Sequence, residues 1–188
     1  MAEHVILFAG PMGAGKTTAI QSLSETPVVL TEAHNTDRST VDKATTTVAL
    51  DYGEIDLGSE DKVRLYGIPG QRRFDFMWQI LRERATGMVL LVNHDAPDPV
   101  GEMLGFLQEF GELYERGGVV IGVSRTDLGT GIPLSDYSDA IAMLHPGMLL
   151  PVIAVDPRSS EHMRMALMVL IVNIEMRASF GARESETV

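Results

Sequence analysis

Val5-Ile6-Leu7-Phe8-Ala9-Gly10-Pro11-Met12-Gly13-Ala14-Gly15-Lys16-Thr17 decides how this chain is read. Its first five residues are apolar without a break, as in a short strand buried on both faces. The next eight satisfy G-x-x-x-x-G-K-[ST]. Glycines in such a stretch let successive backbone N–H groups curl into a concave anion site, where side chains would crowd a phosphate. Lys16–Ser24 then has the composition of a helix, and its N-terminus turns a partial positive charge to the same place. Lys16 supplies a cation for β- and γ-phosphates, and the Thr17 hydroxyl suits a Mg2+ ligand. Gly10, Gly13, Ala14, Gly15, Lys16, Thr17 and Thr18 are the candidate phosphate contacts. The bland alternative is a strand–helix turn that binds nothing. The complete pattern, with a strand before it and a helix after, favours phosphate.

Outward from this turn, apolar runs of strand length alternate with helical segments. The runs are Val5–Ala9, Val48–Tyr52, Val63–Ile68, Met88–Val92, Val119–Val123 and Val152–Val155. Helices are expected over Met103–Tyr114 and Arg158–Arg177, the last with an N-cap from Asp156 or the Ser159-Ser160 pair. Gly58-Ser59-Glu60-Asp61 reads as a hairpin turn, making one edge antiparallel. The expectation is a single α/β P-loop NTPase domain over residues 1–180, with a six-stranded, mostly parallel sheet and helices on both faces. Residues 181–188 read as a flexible polar tail. Thr31–Thr47 is polar, threonine-rich and without apolar period, which marks a long loop, of a kind that is functional or mobile in compact domains.

Composition bounds the function. The chain has 188 residues, 45% of them hydrophobic and 22% charged, as in a globular protein. A net charge of −11 argues against non-specific binding to nucleic acid or to an anionic membrane. There is no cysteine, hence no disulfide and no thiolate metal site. The N-terminus lacks the pattern of a secretory signal. The longest apolar stretch, within Met163–Ile174, is shorter than the roughly 20 residues of a membrane span. A cytoplasmic protein is expected. His4, His34, His94, His145 and His162 show no metal-ligand spacing, and Met163, Met165, Met168 and Met176 read as core.

Further motifs follow in order: Thr45-Thr46-Thr47-Val48-Ala49-Leu50-Asp51-Tyr52-Gly53, Gly67-Ile68-Pro69-Gly70-Gln71, Ser124-Arg125-Thr126-Asp127 and Val155-Asp156-Pro157-Arg158. Together with the phosphate loop, this order resembles the five nucleotide-contact motifs of Ras-like small GTPases. More narrowly, it is similar to the prokaryotic branch that includes the gliding-motility GTPase MglA and the conservon-type GTPases. The resemblance covers roughly Val5 to Arg177. It implies that Thr47, with Thr46 as fallback, completes the Mg2+ shell when a γ-phosphate is present. It also implies that the Gly70 N–H senses that phosphate and that Gln71 positions the attacking water. Arg38, or in its place Arg72 or Arg73, matches an arginine that stabilises charge on the transferring phosphoryl group; an ordinary solvated arginine is the competing reading.

Four positions depart from the family pattern. Gly67 stands where most GTPases carry the aspartate of D-x-x-G, a departure shared with the MglA-like branch; Asp51, on the neighbouring strand, is either its substitute or an ordinary strand-end residue. Ser124 and Arg125 replace the usual asparagine and lysine of the base site. Asp127 keeps the carboxylate that accepts from guanine N1–H and the 2-amino group. Pro157 has no N–H to offer guanine O6, so a neighbour of Asp156 must supply it or the contact is lost.

The resemblance implies a GTP/GDP switch that hydrolyses GTP slowly with Mg2+ and orders its loops around a γ-phosphate to engage a partner. Phe74, Phe76 and Trp78 suit a partner surface or the core, and a Roadblock/LC7-type dimer is the regulator the family implies. The rivals are a pseudo-GTPase that binds without hydrolysis and a P-loop ATP-dependent phosphotransferase, which would need an arginine-rich lid that the sequence after Gly101 does not show.

Overall fold

The computed structural model describes residues 3–33, 48–57, 62–69, 81–116, 118–128, 131–147 and 149–185. Its strands are β1 (Glu3–Ala9), β2 (Val29–Ala33), β3 (Val48–Asp56), β4 (Lys62–Gly67), β5 (Gly87–Asn93), β6 (Val119–Ser124) and β7 (Val152–Ala154). Its helices are α1 (Lys16–Leu23), α2 (Pro99–Glu109), α3 (Gly111–Glu115), α4 (Leu134–Leu144) and α5 (Ser160–Ser185). The strands form one sheet in the order β2-β3-β4-β1-β5-β6-β7. Pairings are parallel from β4 through β7, whereas β2–β3 and β3–β4 are antiparallel.

The central strands are apolar throughout because both faces are covered. Every residue of β5 and β6 is buried. Alternation along the strands sorts their side chains into two cores. Val5, Leu7, Met88, Leu90 and Val92 meet Met103, Phe110 and Tyr137 from α2 to α4. Ile6, Phe8, Val89 and Leu91 meet Ala19, Ile20 and Met163 from α1 and α5. Each fully buried side chain of this size contributes about 1.5–3 kcal/mol relative to exposure.

The α/β class, the mostly parallel sheet and the helices on both faces stand as expected. The strand count is seven rather than six. Val29–Ala33, three of whose residues were assigned to the polar loop, pairs with β3 along Val29↔Tyr52 to Ala33↔Val48. The apolar run Val28-Val29-Leu30 breaks at Thr31-Glu32 and is too short to declare a strand, so the ladder with β3 reveals it. The predicted turn at 58–61 lies outside the described residues, as do 34–47 of the long loop and 186–188 of the tail.

Helix boundaries moved for local reasons. Asp98 accepts a hydrogen bond from the Gly101 N–H at 2.9 Å and Pro99 presets the first helical φ, so α2 begins before Met103. Phe110, at φ −112° and ψ 34°, separates α2 from α3, where one helix was expected. Ser159, rather than Asp156, caps α5, accepting from the His162 N–H at 3.3 Å. That helix runs to Ser185, five residues into the expected tail, through Ala182-Arg183-Glu184, which are good helix formers. α4 was not foreseen; Tyr137 and Ile141 are its buried face, one turn apart. Of the four methionines on α5 read as core, only Met163 is. Met165, Met168 and Met176 are 42%, 67% and 52% exposed, because Met163, Ala166 and Leu170 take the inward stripe of the helix. Among the described residues no helix is long and apolar enough to cross a membrane.

Candidate functional site

Strand order reverses about β1, whose neighbours are β4 and β5. In such sheets the crevice beyond the C-terminal strand ends receives ligands. The turn from Gly10 to Thr17 leaves β1 at that place. Gly10 has φ of 136°, and a Cβ there would stand 2.1 Å from the Leu91 carbonyl oxygen, so only glycine lets the loop pass over β5. Gly15, at φ 90°, is the N-cap of α1 and offers no side-chain cap. The first N–H groups of α1 are therefore left to a ligand, the arrangement that binds phosphate.

Lys16 folds back over the loop, its Nζ donating to Gly10 O at 2.9 Å and Pro11 O at 2.7 Å. Burial pushes its ammonium down to about 8 from 10.5, and the Asp51 carboxylate partly offsets that effect. Thr17 Oγ1 donates to Asp51 Oδ2 at 2.5 Å. Asp51 in turn is registered opposite Gly67 in the β3–β4 ladder.

A cavity of about 640 Å³ extends from this loop, within the usual range for small-molecule sites. Gly13, Gly15 and Thr18 line one side, and Asp127, Asp156 and Arg158 the other. The structure thus brings the phosphate loop and the two predicted base-site segments around one space. Asp127 lies on a 3-10 turn, Thr126–Leu128, directly after β6 and is exposed.

Two base-site residues have protein partners that the sequence did not show. Ser124 is buried with its hydroxyl turned to β5, 3.2 Å from Val92 O and 3.3 Å from Asn93 Oδ1. Arg125 lines the cavity with a partly exposed side chain. It donates to Gly13 O at 3.0 Å and to Asp95 at 3.1 Å, from a backbone with φ of 58°.

The segment after β7 is closed upon itself. Arg158 grips Asp156 through its side chain and backbone N–H, holding that carboxyl at about 2, well below the usual range. The Val155 N–H goes to Val123 O, the Asp156 N–H to His162 Nδ1, and the Ser159 N–H to Asp156 O. The backbone N–H groups of Val155, Asp156, Arg158 and Ser159 are all engaged within the protein, and Pro157 has none to give. A Cβ at Gly15 would stand 2.8 Å from Pro157 Cγ, so the proline packs upon the phosphate loop instead.

Arg38, Thr46, Thr47, Gly70, Gln71, Arg72 and Arg73, together with Phe74, Phe76 and Trp78, lie outside the described residues. Sequence reasoning gave His162 and Asp95 no role. His162 lines the cavity and orders Asp156, and Asp95 orients Arg125. The signal for Asp95 exists only in the β5–β6 register, which pairs Asn93 with Ser124 and brings the following residues together.

The model of the family described as "Conserved hypothetical ATP binding protein" matches residues 28–130, more than half of the chain. Among solved structures, the G domain of the FeoB iron transporter of T. maritima superposes with a TM-score of 0.61 at 16% sequence identity, covering 92% of this chain and 99% of that one. At that identity the likeness is one of fold alone, the α/β fold of that G domain. No curated protein matches the sequence.

Proposed function

We propose a function from one premise: this chain belongs to the family described as "Conserved hypothetical ATP binding protein". Within it, the chain is a small GTP-binding switch. It binds GTP and GDP with Mg2+, hydrolyses GTP slowly, and reshapes loops to regulate a partner. The observation that carries this reading is the single cavity that has the uncapped start of α1 on one side and Asp127 on the other. A nucleoside triphosphate has the same two ends, an anionic tail and a base with donors on its edge.

Lys16 and the α1 amides hold the phosphate tail, and the packing of Pro157 and Arg125 on the loop keeps its curl in place. The donor set near Thr17 is hydroxyl and carboxylate oxygen, which fits Mg2+. Thr17, and Thr47 by resemblance, would hold the ion, which when bound neutralises charge on the β- and γ-phosphates. By the same resemblance Gly70 senses the γ-phosphate, Gln71 orients water and Arg38 stabilises transferring charge. The resemblance to the MglA-like branch supports a Roadblock/LC7-type dimer as partner.

A second reading is ATP binding. It is favoured by the engagement of every backbone N–H between Val155 and Ser159, which removes one main-chain contact that selects guanine. Competition of GTP, GDP and ATP for the purified protein separates the two: preference for GTP over ATP by tenfold or more supports the switch, and equal or reversed preference overturns guanine selection. Phosphate release, with and without a candidate activator, separates a slow GTPase from a module that only binds.

A further inference from the structure

Position 67 raises a question of where a carboxylate can stand. Asp51 and Gly67 face each other across β3 and β4. A Cβ built at Gly67 would lie 2.9 Å from both Asp51 Cβ and Asp51 Oδ2, and 3.0 Å from Ile20 Cδ1. The room a side chain at 67 would need is filled by the Asp51 side chain. One acidic residue fits between the two strands, and here it comes from β3.

That carboxylate is engaged with the metal-type threonine. Thr17 Oγ1 donates to it at 2.5 Å. A hydroxyl has one proton and two lone pairs. With the proton committed to Asp51, the lone pairs are directed elsewhere and the oxygen carries more negative charge, which suits a hard cation. Lys16, which must meet the same phosphates, also feels the Asp51 charge.

We propose that Asp51 is the carboxylate of the magnesium site, moved from β4 to β3, and that it acts by holding Thr17 in its ligating orientation. It is a positioning residue. The inference rests on the nucleotide-and-magnesium reading above.

The test is the Mg2+ dependence of nucleotide release, followed with fluorescent GTP and ATP analogues in EDTA and over a Mg2+ titration. Asp51→Asn keeps the shape and removes the charge. It is expected to raise the Mg2+ concentration that half-slows release by about 10- to 100-fold, as loss of an outer-sphere partner does, while affinity in EDTA stays near wild type. Moving the carboxylate back, with Asp51→Ala and Gly67→Asp together, is expected to recover most of the Mg2+ response. Wild-type Mg2+ dependence in Asp51→Asn overturns the inference, as does equal weakening in EDTA, which signals a merely structural role. If the wild-type chain binds neither analogue, the parent reading fails and takes this one with it.

Discussion

The guanidinium of Arg125 donates to the main-chain carbonyl of Gly13, 112 residues earlier in the chain, at 3.0 Å. This contact ties the loop after β6 to the phosphate loop, so the two ends of the cavity share one support. Asp95 holds the same guanidinium from the side at 3.1 Å. The exposed ion pair contributes little by itself; its effect is to aim the donor at Gly13.

Removing that support should loosen the nucleotide. Arg125→Ala is expected to speed nucleotide release about tenfold, the effect of one charge-assisted hydrogen bond. Arg125→Gly should speed it equally. The glycine variant should also be more stable than the alanine variant by about 1 kcal/mol, since φ of 58° strains any residue with a Cβ. Stopped-flow release and denaturant titration measure the two effects. Wild-type release rates in both variants would show that the tie carries no load.

Lys16→Ala should abolish nucleotide binding. The wild-type pH profile tests the same residue. Burial lowers the Lys16 ammonium to about 8 from 10.5, so in the ligand-free protein the charge is present below pH 8 and lost above it. Bound phosphate favours the charged form, and binding must draw the proton back. Affinity should therefore be level below about pH 8 and fall above it by at most about tenfold per pH unit. Calorimetry in buffers of different ionisation enthalpy should show proton uptake near pH 8.5 or above. For folding the sign is opposite. The unfolded chain binds more protons between 8 and 10.5, so Lys16 makes the ligand-free fold more stable as pH rises through that window.

Asp127→Asn should shift preference from GTP towards xanthosine triphosphate, because the amide can donate where the carboxylate only accepts. Competition binding with GTP, ATP and xanthosine triphosphate reads the shift. Unaltered selectivity would remove Asp127 from base recognition.

Gly10→Ala should be among the most damaging single substitutions. Its Cβ would meet the Leu91 carbonyl oxygen at 2.1 Å, on a backbone at φ 136°, and backbone is slow to give way. A loss of roughly 3 kcal/mol or more is expected. Leu90→Ala, in the core between β5 and the helices α2–α4, should cost about 2–5 kcal/mol. It should leave nucleotide affinity of the folded fraction unchanged. Thermal and denaturant unfolding, paired with binding, separate a stability defect from a site defect.

Much of the fold was legible because apolar runs such as Met88–Val92 and Val119–Val123 declare strands buried on both faces. The strand Val29–Ala33 was not, because its apolar run stops at Leu30 and the pairing with β3 carries it on to Ala33. The α5 methionines misled for a related reason: their chemistry is apolar, but their rotation about the helix is decided by which stripe the sheet accepts.

The residues themselves determined whatever depends on neighbours a few positions away. The glycines of Gly10 to Thr17 permit the curl that Arg125 and Pro157 then support, and Asp98 starts its own helix, since backbone torsions and short-range hydrogen bonds need no distant partner. Tertiary structure alone decided that Asp51 fills the space beside Gly67, that Arg125 reaches Gly13, and that Ser124 turns inward. Each of those depends on strand register, which sums weak preferences over the whole sheet and then places side chains from distant segments within a hydrogen bond of one another.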